Sequence, residues 1–239
     1  TPAEENDLEL LQKEKELVGM YISSHPLEQY SFEMKTFTNC ELANLSATVD
    51  ECEQEQKPRK VCIAGIITDV KPLNSKGGTP GAKVLLEDFS GSYELALFGK
   101  NYEEYMAYMK VHEQIFIEAE IAARYKAKKE EGAKDTKDPY TLKIKKISLL
   151  GNVSESLLIS FTIHLNSEVL SPEFRKALVK LLRANKGKTQ LFLSLHDTET
   201  GYNIDFYSKK FSVAVSADFI RSLEQMGLYW SVSKKATLG

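Results

Sequence analysis

Between residues 61 and 149 apolar positions recur mainly at intervals of two, and that period predicts β-strands. "VCIAGIITDV" (61–70) is β-branched and almost wholly apolar, as a strand covered on both faces would be. A turn-rich stretch, "KPLNSKGGTPGA", separates it from "KVLLED" (83–88), and Ser90-Gly91 marks the next turn. "SYELALF" (92–98) alternates. Tyr93, Leu95 and Leu97 share one face, and Glu94, Ala96 and Phe98 the other, so at most one of Tyr93 and Phe98 is exposed on an outer face. "QIFIEAEIAARY" predicts a fourth strand with Ile115, Ile117, Ala119 and Ile121 aligned. In "YTLKIKKISLL" the apolar parity changes between Leu142/Ile144 and Ile147/Leu149, which predicts a bulge near Lys145-Lys146.

Between the third and fourth strands the period changes to that of a helix. Asn101 is expected as its cap, Glu104 stands at the capping-box position, and Tyr102, Tyr105, Met106 and Met109 form its apolar stripe. Five strands with a helix between the third and fourth match the OB-fold, a partly open five-stranded barrel, with this helix expected as the plug of its open end.

On either side the pattern differs. "DLELLQKEKELVGMYI" (7–22) predicts a helix that ends before Pro26, and "DECEQEQKPRK" (50–60) reads as an acidic, solvated linker. After 151, "LLISFTIHL", "TQLFLSL", "GYNIDFY" and "LYWSVSK" predict strands. Two helices are expected, one opened by Ser171-Pro172 with Phe174, Ala177, Leu178 and Leu181 inward, the other running from Ser216 to Gly227. The fold class is therefore mainly β with an α+β part: residues 1–60 a helical connector and linker, 61–151 an OB-fold barrel, 152–239 a small α+β domain.

Composition narrows the functional classes. In 239 residues no apolar run reaches the length needed to cross a bilayer, and a membrane partner is not expected. The acidic N-terminus lacks the order of a signal peptide, and the absence of an initiator Met predicts a piece of a longer chain. Cys40, Cys52 and Cys62 are odd in number, lack metal-ligand spacing, and predict a reducing, cytoplasmic setting, with Cys62 a small buried hydrophobe. His25, His112, His164 and His196 form no ligand or triad pattern, Glu87 and Asp88 alternate across a strand, and no phosphate-binding glycine motif is present. No catalytic residue, metal site or cofactor site is expected.

The net charge of −3 conceals an asymmetry: residues 124–146 hold nine Lys/Arg against four Asp/Glu. Arg124, Tyr125, Lys126 and Lys128 enter the connection between the last two strands, Lys143 and Lys145 leave it, and Lys76 lies between strands one and two. OB-folds bind nucleic acid with these connections and the face of strands two and three: cations draw phosphates and aromatic rings stack on bases. These seven residues are the candidate contacts. The lysines could equally serve only to keep a long hairpin soluble. "ELALF" and "QLFL" look like clamp-docking peptides, but strand cores account for both more simply.

"EKELVGMYISSHPLEQY" (14–30) and "KGGTPGAKVLLEDFSGSYELALFGKNYEEY" (76–105), in the order connector, barrel, α+β tail, resemble the C-terminal region of bacterial DNA polymerase III alpha subunits. The resemblance implies a parent that polymerises DNA with magnesium at a palm lying outside this chain. It further implies a barrel for single-stranded template DNA, a tail that docks on the clamp-loader tau subunit, and sliding-clamp contact through upstream segments. The family's aromatic on strand two is missing from "PGAKVLL". Two other readings stay open, an RNA- or anticodon-binding OB domain and a protein–protein scaffold.

Overall fold

Arg59–Asn74 forms one long strand, β1, on which the barrel is assembled. The computed structural model describes residues 25–74, 78–124 and 139–236. The expected helix at 7–22 and most of the basic connection lie outside the described residues. The described chain divides into two units, one of residues 25–28, 33–74, 78–124 and 139–151, the other of 29–32 and 152–236.

In the first unit β1 pairs antiparallel with β2 (Pro80–Glu87) on one side and β4 (Gln114–Ala123) on the other. β3 (Ser92–Phe98) and β5 (Tyr140–Leu149) complete the sheet in the order β3-β2-β1-β4-β5, the order of an OB-fold. β1 and β2 run further than expected, to Asn74 and from Pro80, so the connection between them is shorter than the turn-rich composition implied. The alternation behaves as expected. Leu95 and Leu97 point in and Phe98 points out; Ile115, Ile117, Ala119 and Ile121 are buried in one cluster. β1 is buried on both faces, with Ile63 and Ile67 inside and Cys62, Ala64 and Ile66 also covered. Glu118 pairs with Lys146 and Ala119 with Ile144, which leaves Lys145 as the extra residue of a bulge, where the parity change put it.

Closure of this sheet differs from the expectation. The helix after β3 is short, α3 (Lys100–Tyr105), and Gly99 in a positive-φ conformation, not Asn101, precedes it. Tyr105 and Met109 are buried and Tyr102 and Met106 partly so, as the stripe required. The larger cover is α2 (Leu42–Glu55), which packs against β1, β3, β4 and β5. Leu42, Leu45 and Cys52 of α2 belong to the barrel's own core cluster. The stretch read as a solvated acidic linker (50–60) therefore ends a core helix with its first six residues and opens β1 with its last two. Asp50, Glu51 and Glu55 lie on the outward side, while Leu42, Leu45, Val49 and Cys52 recur every three or four residues and make one apolar stripe. Each fully buried leucine contributes about 1.5–3 kcal/mol.

Both ends of α2 are tied to the barrel. At its start the Asp88 carboxylate, in the β2–β3 turn, accepts the Leu42 backbone N–H at 2.9 Å, and Ser90 Oγ accepts that of Ala43 at 3.2 Å. At its end Glu53 accepts the Tyr140 N–H at 3.0 Å, where β5 begins. Ahead of α2, α1 (Ser31–Phe37) leads to Asn39, which bonds the free edge of β1 beyond the end of β2. Its N–H and side-chain oxygen bond the backbone of Cys62 at 3.0 and 2.7 Å, and its amide donates to the Lys60 carbonyl at 3.3 Å. One side chain thus satisfies edge groups that a neighbouring strand would otherwise take.

The second unit has the order βαββαβ after a short helix α4 (Val153–Leu157): β6 (Leu158–Asn166), α5 (Pro172–Ala184), β7 (Lys186–His196), β8 (Asn203–Val213), α6 (Ala217–Gln225) and β9 (Tyr229–Lys234). Its sheet runs β8-β7-β6-β9, with β6 and β7 parallel. Both helices start as the sequence predicts. Ser171 accepts the Phe174 N–H, with Pro172 at the first turn, and Ser216 accepts that of Phe219. Leu178 and Leu182 form the buried face of α5, and Ala177 turns outward rather than in. Phe161, Phe219 and Trp230 form an aromatic core, with Phe161 stacked on Trp230 at 5.7 Å.

Candidate nucleic-acid interface

Of the seven candidate contacts, Lys76, Tyr125, Lys126 and Lys128 lie outside the described residues. Arg124 is exposed at the end of β4, where its N–H meets the Pro139 carbonyl at 2.7 Å. Lys143 and Lys145 sit on β5 around one carboxylate. Lys143 is in register with Glu120, and Lys145 pairs with Glu120 at 3.0 Å. The hydrogen bond from Lys145, then the charges of Lys145, Lys143 and Lys60, hold the Glu120 carboxyl below its ordinary range. Lys146 pairs with the nearly buried Glu118 at 3.8 Å. Four lysines around two carboxylates leave an excess of two positive charges on this strip, less than the lysine count alone suggests.

The outer face of β1, β2 and β3 supplies what the missing strand-two aromatic left open. Phe98 is 38% exposed on β3. Its ring lies over Gly81, so close that a Cβ at Gly81 would stand 2.5 Å from the ring's Cδ1. Lys83, in register with Ala96, pairs with Glu94 at 2.7 Å, and Lys71, in register with Lys83, pairs with Asp69 at 2.6 Å. Such exposed pairs are held by roughly 0–1 kcal/mol each, so a phosphate can exchange for either carboxylate. The signal for Phe98 was present in the alternation: with Leu95 and Leu97 inside, Phe98 must face out. Tyr140, by contrast, packs partly into the barrel core and is not a free stacking ring. Among the described residues no group of three or more His, Cys, Asp or Glu side chains is placed to hold a metal ion.

The geometry defines an OB-fold barrel with a small α+β domain carried in the same chain. Residues 161–230 match the family described as DNA polymerase III alpha subunit, C-terminal domain. The chain is 21% identical over 220 residues to the DNA polymerase III subunit alpha of Pseudomonas aeruginosa, a match covering 92% of this chain and 17% of that one. It is 34% identical over 103 residues to the subunit of Saccharopolyspora erythraea, covering 43% and 8%. The chain thus resembles the C-terminal region of DNA polymerase III alpha subunits, as its two sequence motifs implied, and spans about a sixth of the length of the relatives that match nearly all of it. Among solved structures, a small single-stranded DNA-binding protein from Streptomyces coelicolor is 8% identical with a TM-score of 0.22, covering 39% of this chain and 93% of that one.

Proposed function

We propose that this chain is a non-catalytic module of a replicative DNA polymerase that binds single-stranded template DNA on its barrel. The observation that carries the reading is the exposed Phe98 ring, flanked by Lys71 and Lys83 on the outer face of β1–β3. A base can stack on Phe98 while its phosphates replace Asp69 and Glu94 as partners of the two lysines. Arg124, Lys143 and Lys145, with Lys76, Tyr125, Lys126 and Lys128 in the adjoining connections, extend the contact. In the same reading residues 152–239 dock on the clamp-loader tau subunit, and the sliding clamp is met by segments outside this chain. Magnesium-dependent polymerisation also belongs to those outside segments, and the setting is cytoplasmic.

Titration of labelled single-stranded DNA, duplex DNA and a structured RNA at several salt concentrations tests it. The barrel reading expects an Arg124/Lys126/Lys128 triple substitution to weaken single-strand binding and a log–log salt slope of about −0.7 per phosphate contact. Preference for the structured RNA would favour the RNA-binding alternative. Absence of single-strand binding at low salt would favour the scaffold.

A further inference from the structure

Helix α5 of the second unit carries a charge stripe that the barrel site does not include. Arg175, Lys176, Lys180 and Arg183 are exposed along it and, with Val179, line a groove of ≈ 460 Å³. None of the four makes an ion pair with another described residue. From 175 to 188 the chain holds six Lys/Arg and no Asp or Glu, and the helix's one acid, Glu173, sits in its first turn. Four cations without a protein counter-charge, spread over about 12 Å of helix at 1.5 Å per residue, make a positive face that attracts anions.

We infer that this face binds the phosphate backbone of duplex DNA. The lining offers charge and a single small apolar side chain. It has no aromatic ring on which an unpaired base could stack and no amide or hydroxyl to read a peptide. Single strands are held by stacking as well as charge, whereas a duplex keeps its bases to itself and presents phosphates. Arg175 and Arg183, two turns apart, can each present a bidentate fork to a phosphate, with the lysines as point charges between them.

The test uses the full chain, a labelled 20-base-pair duplex, the corresponding single strand, and polyglutamate as an acidic-peptide probe. Expected is measurable duplex binding at low salt that R175Q/K176Q/K180Q/R183Q weakens at least tenfold. Its log–log salt slope should flatten by up to about 3.6, at about 0.9 per phosphate. The milder Lys180→Gln, which removes one exposed charge, should flatten it by about 0.9, and Arg175→Lys/Arg183→Lys should keep most of the slope. Phe98→Ala should leave duplex binding intact, which separates this face from the barrel site. The proposal is overturned if the wild-type chain does not bind duplex, if Lys180→Gln and the quadruple variant bind it as wild type does, or if the substitutions abolish polyglutamate binding alone.

Discussion

The carboxylate of Asp88, in a turn between two strands, accepts the backbone N–H of Leu42, forty-six residues earlier, at the first turn of α2. The same carboxylate accepts from Ser90 N, Ser90 Oγ and Gly91 N at 2.6–3.0 Å, so one buried side chain both shapes its own turn and caps a distant helix. Glu41, which precedes α2, makes no capping bond of its own. Substituting a helix cap costs about 0.5–2 kcal/mol, and bonds to a charged acceptor about 1.5–3. Asp88→Ala should therefore destabilise the barrel by about 1–3 kcal/mol in urea unfolding. The loss is expected in the far-UV circular dichroism transition.

Phe98→Ala removes the exposed ring from the outer face of β3 without touching the core. Base stacking is worth about 1–3 kcal/mol, so single-strand affinity should fall roughly 5- to 150-fold, with a loss of stability of about 1 kcal/mol for the cover the ring gives Gly81. Phe98→Trp should keep the affinity. Fluorescence anisotropy at fixed salt decides it, and unchanged binding by Phe98→Ala would remove this ring from the interface.

Tyr105 Oη donates to the Lys145 carbonyl at 3.3 Å, joining the helix after β3 to the bulge in β5. Burial first, and then a hydrogen bond with Glu104, push its phenol above the ordinary tyrosine value. A folded-state pKa above the unfolded one contributes stability that is fully present below the unfolded value, about 10, and is lost as pH rises through the folded value. Tyr105→Phe should cost about 0.5–1.5 kcal/mol at neutral pH, from the lost bond, and should show a smaller loss of stability on alkaline titration than the wild type. Equal alkaline loss in both proteins would show that another group controls it.

The three thiols should separate by reactivity. Cys52 is 1% exposed in the barrel core and Cys62 is 5% exposed on β1, whereas Cys40 is partly exposed. Burial pushes both the Cys40 and the Cys52 thiols up, so access rather than thiolate character sets the order. A disulfide reagent at neutral pH should label Cys40 first and reach Cys52 only on the timescale of barrel opening. Mass spectrometry of the modified peptides reads the order, and rapid modification of Cys52 in the native protein would contradict its place in the core.

Sequence pattern was most informative where side chains alternate across a sheet. The five strands, the inward parity of β3 and β4 and the bulge at Lys145 were all legible, because burial of one face constrains every second residue. Helix α2 was not, although Leu42, Leu45, Val49 and Cys52 trace a stripe. Its acids suggested solvent, and its cap is supplied by Asp88 rather than by a neighbour in sequence. Asn39 was equally invisible, since what it satisfies is a gap in pairing that exists only once β2 ends. At the candidate site, Phe98 was half-legible through alternation, while the neutralisation of Lys145 by Glu120 depends on cross-strand register and could not be read from charge counts.

The packing of α2 also sets where this barrel can be cut. A fragment started at β1 would keep all five strands and every ladder bond among them. It would nevertheless uncover the inner faces that Leu42 and Leu45 seal, leave Asp88 buried against no helix, and strand the edge groups that Asn39 serves. The autonomous unit therefore begins before its first strand, ahead of Asn39, and excision at the strand boundary should yield an aggregating polypeptide rather than a smaller folded one.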